Sequence, residues 1–111
     1  MNQETFSFRY EKWASGKLVC ICSDYFNGGT GTSYRGGYYL GKTLEYPEQH
    51  DGPAFVEAPY ITGITCRGGQ GWACTIQLNA IYKNKAMFWV VSPNKSIPKF
   101  YVDYRLEGSW K

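Results

Sequence analysis

Apolar side chains recur at every second residue along much of the chain. Phe6, Phe8 and Tyr10 alternate with polar residues, and the segment 100–106 repeats this rhythm. A period of two describes a β-strand with one buried face. Further strands are predicted at 17–24, 38–45, 59–66, 73–82 and 86–92. Because no segment repeats apolar residues at a period of 3.6, the pattern predicts an all-β, antiparallel sandwich of about six to seven strands with little or no helix.

The connections between these strands are rich in glycine, proline and polar residues. The segment 27–37 holds five glycines and is predicted to be the most flexible loop. The segment 46–53 contains Pro47 and Pro53 and is also predicted to be a loop, whereas Lys83-Asn84-Lys85 predicts a hairpin turn. No repeat or linker interrupts the pattern, so residues 1–111 are expected to form one domain.

Residues 36–43, GGYYLGKT, match the phosphate-binding pattern G-x-x-x-x-G-K-T. That pattern binds phosphate only between a buried strand and the N-terminus of a helix. Here a Gly/Thr/Ser-rich loop precedes the match and Pro47 follows it closely, so a long helix is not expected. We therefore predict a strand and no nucleotide site.

Charge and hydropathy exclude several classes of partner. The net charge is +3, and the basic residues are scattered rather than gathered into a stripe. We therefore expect no nucleic-acid partner. No run of 18 apolar residues exists, so no membrane insertion is expected. The first residues, Met-Asn-Gln-Glu-Thr, lack the basic and apolar regions of a signal peptide.

The four cysteines leave three interpretations open. Cys20 and Cys22 fall on one face of a predicted strand, while Cys66 and Cys74 flank a glycine-rich turn. Free thiols are favoured because no signal peptide is present. A Cys66–Cys74 disulfide would close a hairpin, and a zinc site would need ligand spacings that these cysteines do not match. The sequence leaves their redox state open.

Catalytic chemistry finds little support. The only histidine, His50, lies beside Asp51 in the proline-flanked segment, and no nucleophile motif accompanies it. We interpret it as a solvated loop residue. The acidic residues nearby favour a charged surface over a glycosidase pair. The sequence therefore predicts no enzyme, no catalytic residue, no metal and no cofactor.

Aromatic residues make up 18% of the chain, more than the core of so small a domain can hold. Exposed aromatic rings beside polar groups stack on the apolar faces of sugars, and they are equally typical of subunit interfaces. The residues predicted to bind a ligand lie in or beside loops: Tyr25, Tyr34, Arg35, Tyr38, Tyr39 and Trp72.

Four short motifs together resemble the C-terminal domains of bacteriophage tail and receptor-binding proteins. They are the run 11–17 (EKWASGK), Tyr46-Pro47, the pair Phe55 and Pro59, and the terminal run 108–111 (GSWK). Each motif is weak alone, but their order and terminal placement make the set more specific. The segment 48–54 departs from the pattern and looks like an insertion.

The resemblance implies a β-sandwich similar to H-type lectins, at the tip of a longer fibre. It implies a non-enzymatic adhesion domain that binds a bacterial surface polysaccharide or receptor, assembles as a homotrimer, and belongs to a virion made in the host cytoplasm. The alternative is a structural trimerisation module without ligand affinity. Binding loops vary among such domains, so the resemblance transfers no binding residue.

Overall fold

The computed structural model describes residues 6–68 and 74–111. This part of the chain contains ten strands and one short 3₁₀ turn, Pro47–His50. In chain order the strands are β1 (Phe6–Lys12), β2 (Lys17–Phe26), β3 (Gly29–Thr30), β4 (Thr32–Tyr34), β5 (Gly37–Glu45), β6 (Tyr60–Arg67), β7 (Thr75–Ile81), β8 (Lys85–Ser92), β9 (Ser96–Ile97) and β10 (Phe100–Ser109).

Two four-stranded antiparallel sheets form the fold, and we call them the first and second sheet. The first has the order β1-β2-β10-β6, and the second has the order β4-β5-β8-β7. β10 is central to the first sheet because it pairs along its length with β2 and also with β6. A two-stranded ribbon, β3-β9, stands apart from both sheets. The all-β antiparallel architecture predicted from the apolar rhythm is confirmed.

One hydrophobic core joins residues from both sheets. Leu18, Val102 and Leu106 of the first sheet are buried together with Leu44 and Phe88 of the second. Alternate residues of these strands point inward, as the period of two predicts. Burying each such side chain stabilises the fold by about 1.5–3 kcal/mol, so this shared layer is the main source of cohesion.

The strand count differs from the predicted six to seven because three short strands lie where the sequence predicted loops. β3 and β4 occupy most of the glycine-rich segment 27–37, and β9 lies in the connection before β10. Their residues show no apolar alternation, so only pairing with distant partners makes them strands. Pairing of Gly29 with Ile97 is one such contact.

Two further sequence expectations concern single segments. Gly41, Lys42 and Thr43 lie inside β5, hydrogen-bonded to β8, so the expectation that they begin no helix is confirmed. Tyr82 donates its backbone N–H to the Lys85 carbonyl at 2.8 Å, which confirms the predicted hairpin turn. Within the described residues no helix has the length and hydropathy needed to cross a bilayer.

The outer face of β2 corrects one detail of the sequence interpretation. Leu18, Cys20 and Cys22 occupy one face of the strand predicted at 17–24, and Val19 and Ile21 occupy the other; apolar residues on both faces predict a cover on each side. Val19 is buried and Ile21 is half-buried, but no third layer of the described residues lies over them. The side chains of Arg9, Glu11 and Arg105 line the shallow depression above the two residues. Long charged side chains can cover apolar surface with their aliphatic stems, which explains the burial.

Candidate ligand-binding groove

The hairpin between β4 and β5 carries one edge of a groove on the outer face of the second sheet. Tyr34 pairs with Gly37, which leaves only Arg35 and Gly36 to make the turn. Both have positive φ angles, 49° and 85°. Two-residue turns of this kind match the twist of the flanking strands, and glycine or asparagine adopts them most easily. Arginine in the first position is therefore strained, and strain of this sort often accompanies function.

Trp89 forms the floor of the groove because it faces a glycine across the sheet. Gly41 is its cross-strand partner, and a Cβ atom added at Gly41 would lie only 2.8 Å from Cζ3 of the indole. The six-membered ring therefore lies directly over the Gly41 backbone. A glycine in a strand commonly marks a close approach of this type. The side chain is half-buried, so part of the indole is exposed.

Tyrosines surround the indole in edge-to-face contacts. The ring of Tyr39 meets that of Trp89 at 5.0 Å with an interplanar angle of 89°. Tyr34 meets Tyr39 at 6.2 Å and 88°. Such T-shaped pairs are favourable and hold each ring in a fixed orientation. The faces of the rings are thus presented in a defined pattern before any ligand arrives.

The result is a shallow depression of about 310 Å³, which we call the aromatic groove. Its walls are mainly apolar, with the amide of Gln77 as a polar group in the lining. Its residues are Tyr34, Tyr38, Tyr39, Gln77, Trp89 and Val91. Apolar surfaces with a few placed polar groups are the usual composition of small-ligand sites.

The structure brings together some of the predicted ligand residues and separates others. Tyr34, Tyr38 and Tyr39 line the aromatic groove, and the Arg35 guanidinium lies 5.3 Å from the centre of the Tyr34 ring at its rim. Tyr25 does not belong to this group. It lies within β2, where it packs edge-on against Tyr101 at 5.0 Å.

Trp72 lies outside the described residues. Sequence reasoning missed Trp89 and Gln77. Trp89 lies in the dense apolar strand predicted at 86–92, where an apolar side chain is expected to belong to the core.

The region around His50 is built from contacts within the chain. His50 pairs with Glu45 and stacks on Phe6 with ring centres 4.4 Å apart. The Gln49 side chain accepts a hydrogen bond from the Tyr46 backbone N–H at 2.8 Å and donates one to the Asn84 carbonyl at 2.6 Å. His50 is exposed, as predicted, but it belongs to the 3₁₀ turn and contacts both Glu45 and Phe6. The contacts of His50 with Glu45 and of Gln49 with Asn84 hold the turn against β5 and the β7–β8 hairpin.

One ionisable group lies inside the sandwich. Asp24 is buried on the inner face of β2, where its Oδ1 accepts a hydrogen bond from the Tyr25 backbone N–H at 2.8 Å. Its Oδ2 has no hydrogen-bond partner among the described residues. Burial raises the pKa of the Asp24 carboxyl, and the nearby Lys42 ammonium partly opposes that shift.

The cysteines belong to two environments. Cys20 and Cys22 are buried in the core, and burial raises the pKa of the Cys20 thiol to about 12. Cys66 and Cys74 are half-buried, and burial also raises the pKa of both thiols. All four are free. In the described ranges no three His, Cys, Asp or Glu side chains are grouped as metal ligands would be.

Comparisons of the chain with protein-family models, with curated proteins and with solved structures find no match. The resemblance to phage tail domains, the likeness to H-type lectins and the trimeric assembly therefore stay predictions from the sequence.

Proposed function

We propose that this domain is a non-enzymatic adhesin whose aromatic groove binds a glycan. The observation that carries the proposal is the half-buried indole of Trp89, which lies against the Gly41 backbone and meets the ring of Tyr39, with Tyr34 next to Tyr39. A pyranose ring has an apolar face that stacks on such a surface, and the Gln77 amide can hydrogen-bond the sugar hydroxyls. A flat, open groove suits a sugar chain lying along the sheet.

The identity of the glycan and the setting rest on the sequence motifs alone. They favour a bacterial surface polysaccharide as the ligand and a phage virion tail as the location. Arg35 at the rim adds a positive charge and five N–H donors near the Tyr34 ring. We therefore infer that the bound sugar chain presents hydroxyl or acidic groups towards the hairpin.

The test is binding to an array of bacterial surface polysaccharides, followed by titration of the strongest hit. We expect Trp89→Ala and Tyr39→Ala each to weaken binding by about tenfold or more, because one stacked ring contributes about 1–3 kcal/mol. Tyr25→Ala is the matched control, since it removes a tyrosine from the outer face of the other sheet. Equal losses in all three variants, or no binding by the wild type, would contradict the proposal.

A second candidate function uses the same surface as a contact between subunits. Tyr34 is 61% exposed, and the half-buried Val91 and Trp89 add apolar area beside it. Aromatic residues are typical of interface centres. Sedimentation distinguishes the two functions: a stable trimer that dissociates on Trp89→Ala and binds no array glycan would establish the assembly module instead.

A further inference from the structure

The end of the sandwich opposite the aromatic groove carries a cluster of lysines beside tryptophans, which we call the lysine–tryptophan end. β10 begins beside Phe26 and ends at Ser109 beside Lys17. The aromatic groove lies towards the first of these ends, because Tyr38 lies against Gly31 next to the β3-β9 ribbon. The lysine–tryptophan end consists of Lys12, Trp13, Lys17, Trp110 and Lys111.

Backbone and indole hydrogen bonds fix this end. Trp110 donates its Nε1–H to the Trp13 carbonyl at 2.7 Å and its backbone N–H to the Gly16 carbonyl at 2.9 Å. Gly16 has a φ of 108°, so the turn between β1 and β2 needs glycine there. The C-terminal residues are thereby locked onto this turn. The two tryptophans therefore stabilise this end of the fold and also form part of its surface.

Three ammonium groups lie over these two indoles. The Nζ atoms of Lys12 and Lys111 lie 4.4 and 5.4 Å from the centre of the Trp110 ring, and that of Lys17 lies 5.2 Å from the Trp13 ring. A cation–π contact positions an ammonium group but does not cancel its charge. The positive charge of these three lysines is as large as the net charge of the whole chain, which is +3.

These charges have no acidic partner within the part of the chain that the structure describes. None of its ion pairs involves Lys12, Lys17 or Lys111. Glu107, which lines the same surface depression as Lys17, is paired with Arg105 at 2.9 Å. A concentration of unpaired positive charge attracts an anionic partner.

A second groove, of about 400 Å³, adjoins the lysines and defines the chemistry of that partner. Tyr60, 77% exposed, lines it together with Lys17, and Ser15 and Ser109 are also part of its lining. Glu107 lines it as well. An exposed ring beside hydroxyl-bearing residues and a carboxylate that accepts hydrogen bonds suits a chain of sugars with free hydroxyl groups.

We propose that the lysine–tryptophan end binds an acidic polysaccharide, with Tyr60 stacking on a sugar ring and the three lysines binding its carboxylates. This site is separate from the aromatic groove and does not depend on the function proposed for it. A domain with both sites contacts an acidic glycan layer at two ends.

The test measures binding of the full chain to sodium polygalacturonate at low and at physiological salt. The variant is the triple change Lys12→Gln, Lys17→Gln and Lys111→Gln. We expect affinity to fall by about tenfold, because three exposed ionic contacts are lost, and the salt dependence to fall with it. Tyr60→Ala should weaken binding without changing the salt dependence.

The matched control is a second triple variant, Lys83→Gln, Lys85→Gln and Lys95→Gln, which removes the same net charge from other exposed positions. It should lose less than about twofold in affinity. Equal losses in both triple variants would overturn the proposal in favour of unspecific attraction. Binding of single-stranded oligothymidine but not of polygalacturonate would overturn it in favour of a nucleic acid, and binding of neither would overturn it outright. None of the lysines nor Tyr60 lines the aromatic groove, so failure of this test is distinguishable from failure of the test of the aromatic groove.

Discussion

The outer faces of the two sheets carry similar residue types but differ in what those residues bind. On the first sheet, Arg67 makes a two-pronged ion pair with Asp103 at 2.8 and 3.2 Å and donates a further hydrogen bond to Ser23 at 3.0 Å. Its guanidinium also covers the ring of Tyr101, 4.5 Å away. In the middle of this face, the charged and aromatic side chains therefore bind one another.

On the second sheet the aromatic rings meet one another edge-to-face. The difference originates in one position: Trp89 faces Gly41, whereas Tyr101 faces Arg67 across the neighbouring strand. Gly41 has no side chain that could cover the indole, while the Arg67 guanidinium lies over the Tyr101 ring. Aromatic content alone therefore does not identify a binding surface; the cross-strand partner decides it.

The largest expected effect comes from placing a methyl group under Trp89. In Gly41→Ala the new Cβ would meet the indole at 2.8 Å, so the ring must tilt away from the sheet. We expect glycan affinity to fall by about tenfold, measured by calorimetric titration with the strongest array hit. Gly63→Ala is the control, because Gly63 lies on the outer face of the first sheet and a Cβ there meets nothing within 4 Å. A loss in Gly63→Ala as large as in Gly41→Ala would break the comparison between the faces.

The core beneath both faces gives the next largest effect. Burial raises the pKa of Asp24 above its ordinary 3.8, so its contribution to stability is fully present below that value and is lost as pH rises through the raised pKa. Asp24→Asn removes the charge, and we expect it to stabilise the fold at pH 7 by about 1 kcal/mol. Urea denaturation at pH 4 and pH 7 measures this, and the gain should shrink at the lower pH. Glycan affinity should not change; a gain that is the same at both pH values would show that the charge is not the cause.

A smaller effect is expected at the hairpin tip. Arg35 adopts a φ of 49°, which asparagine tolerates better, so Arg35→Asn should stabilise the domain by about 0.5 kcal/mol. If the guanidinium contacts the bound sugar, the same change weakens glycan binding. Thermal unfolding and titration of one variant therefore separate the two roles. Gly36→Asn, which changes the other turn residue and keeps the charge, is the control, and an unchanged affinity in Arg35→Asn would remove Arg35 from the site.

The smallest effect concerns the ion pair of the first sheet. The Arg67 guanidinium lowers the pKa of the Asp103 carboxyl below 3.8, so the pair stabilises the fold above that value and its contribution is lost as pH falls through the lowered pKa. Because both side chains are partly exposed, Asp103→Asn should lower the melting temperature at pH 7 by only a few degrees at most. The difference in melting temperature between the wild type and the variant should shrink as the pH falls below 3.8. Any loss of affinity for the glycan of the aromatic groove in Asp103→Asn would show that the middle of the first sheet contributes to that binding.

The sequence predicts most of the sandwich because alternation is strong where one face is buried. The residues of β10 from Phe100 to Leu106 follow it closely, and β1 does so as far as Tyr10. β3, β4 and β9 could not be predicted, since their pairing depends on residues far along the chain. Where apolar side chains occupy both faces of a strand, the two-residue period does not show which face is buried.

The candidate site shows the same limit. Tyr34, Tyr38 and Tyr39 were found because they flank a glycine-rich segment, but Trp89 was not, because Met87, Trp89 and Val91 make the outer side of β8 as apolar as its inner side. The useful signal is the pairing of Trp89 with Gly41, which exists only once the register is known. Tyr25 lies on the other sheet, and the sequence alone does not show that separation.

The β4–β5 hairpin ends in a turn that closes on itself through the pairing of Tyr34 with Gly37, and a side chain at Gly36 would meet nothing within 4 Å. Replacements at Tyr34 and Arg35 would therefore alter the rim of the aromatic groove without disturbing the layer that keeps the sheets together, whereas Gly36, with a φ of 85°, suits glycine or asparagine. Such a tip can vary in sequence at little cost to folding, and the glycan specificity that we propose for the groove can vary with it.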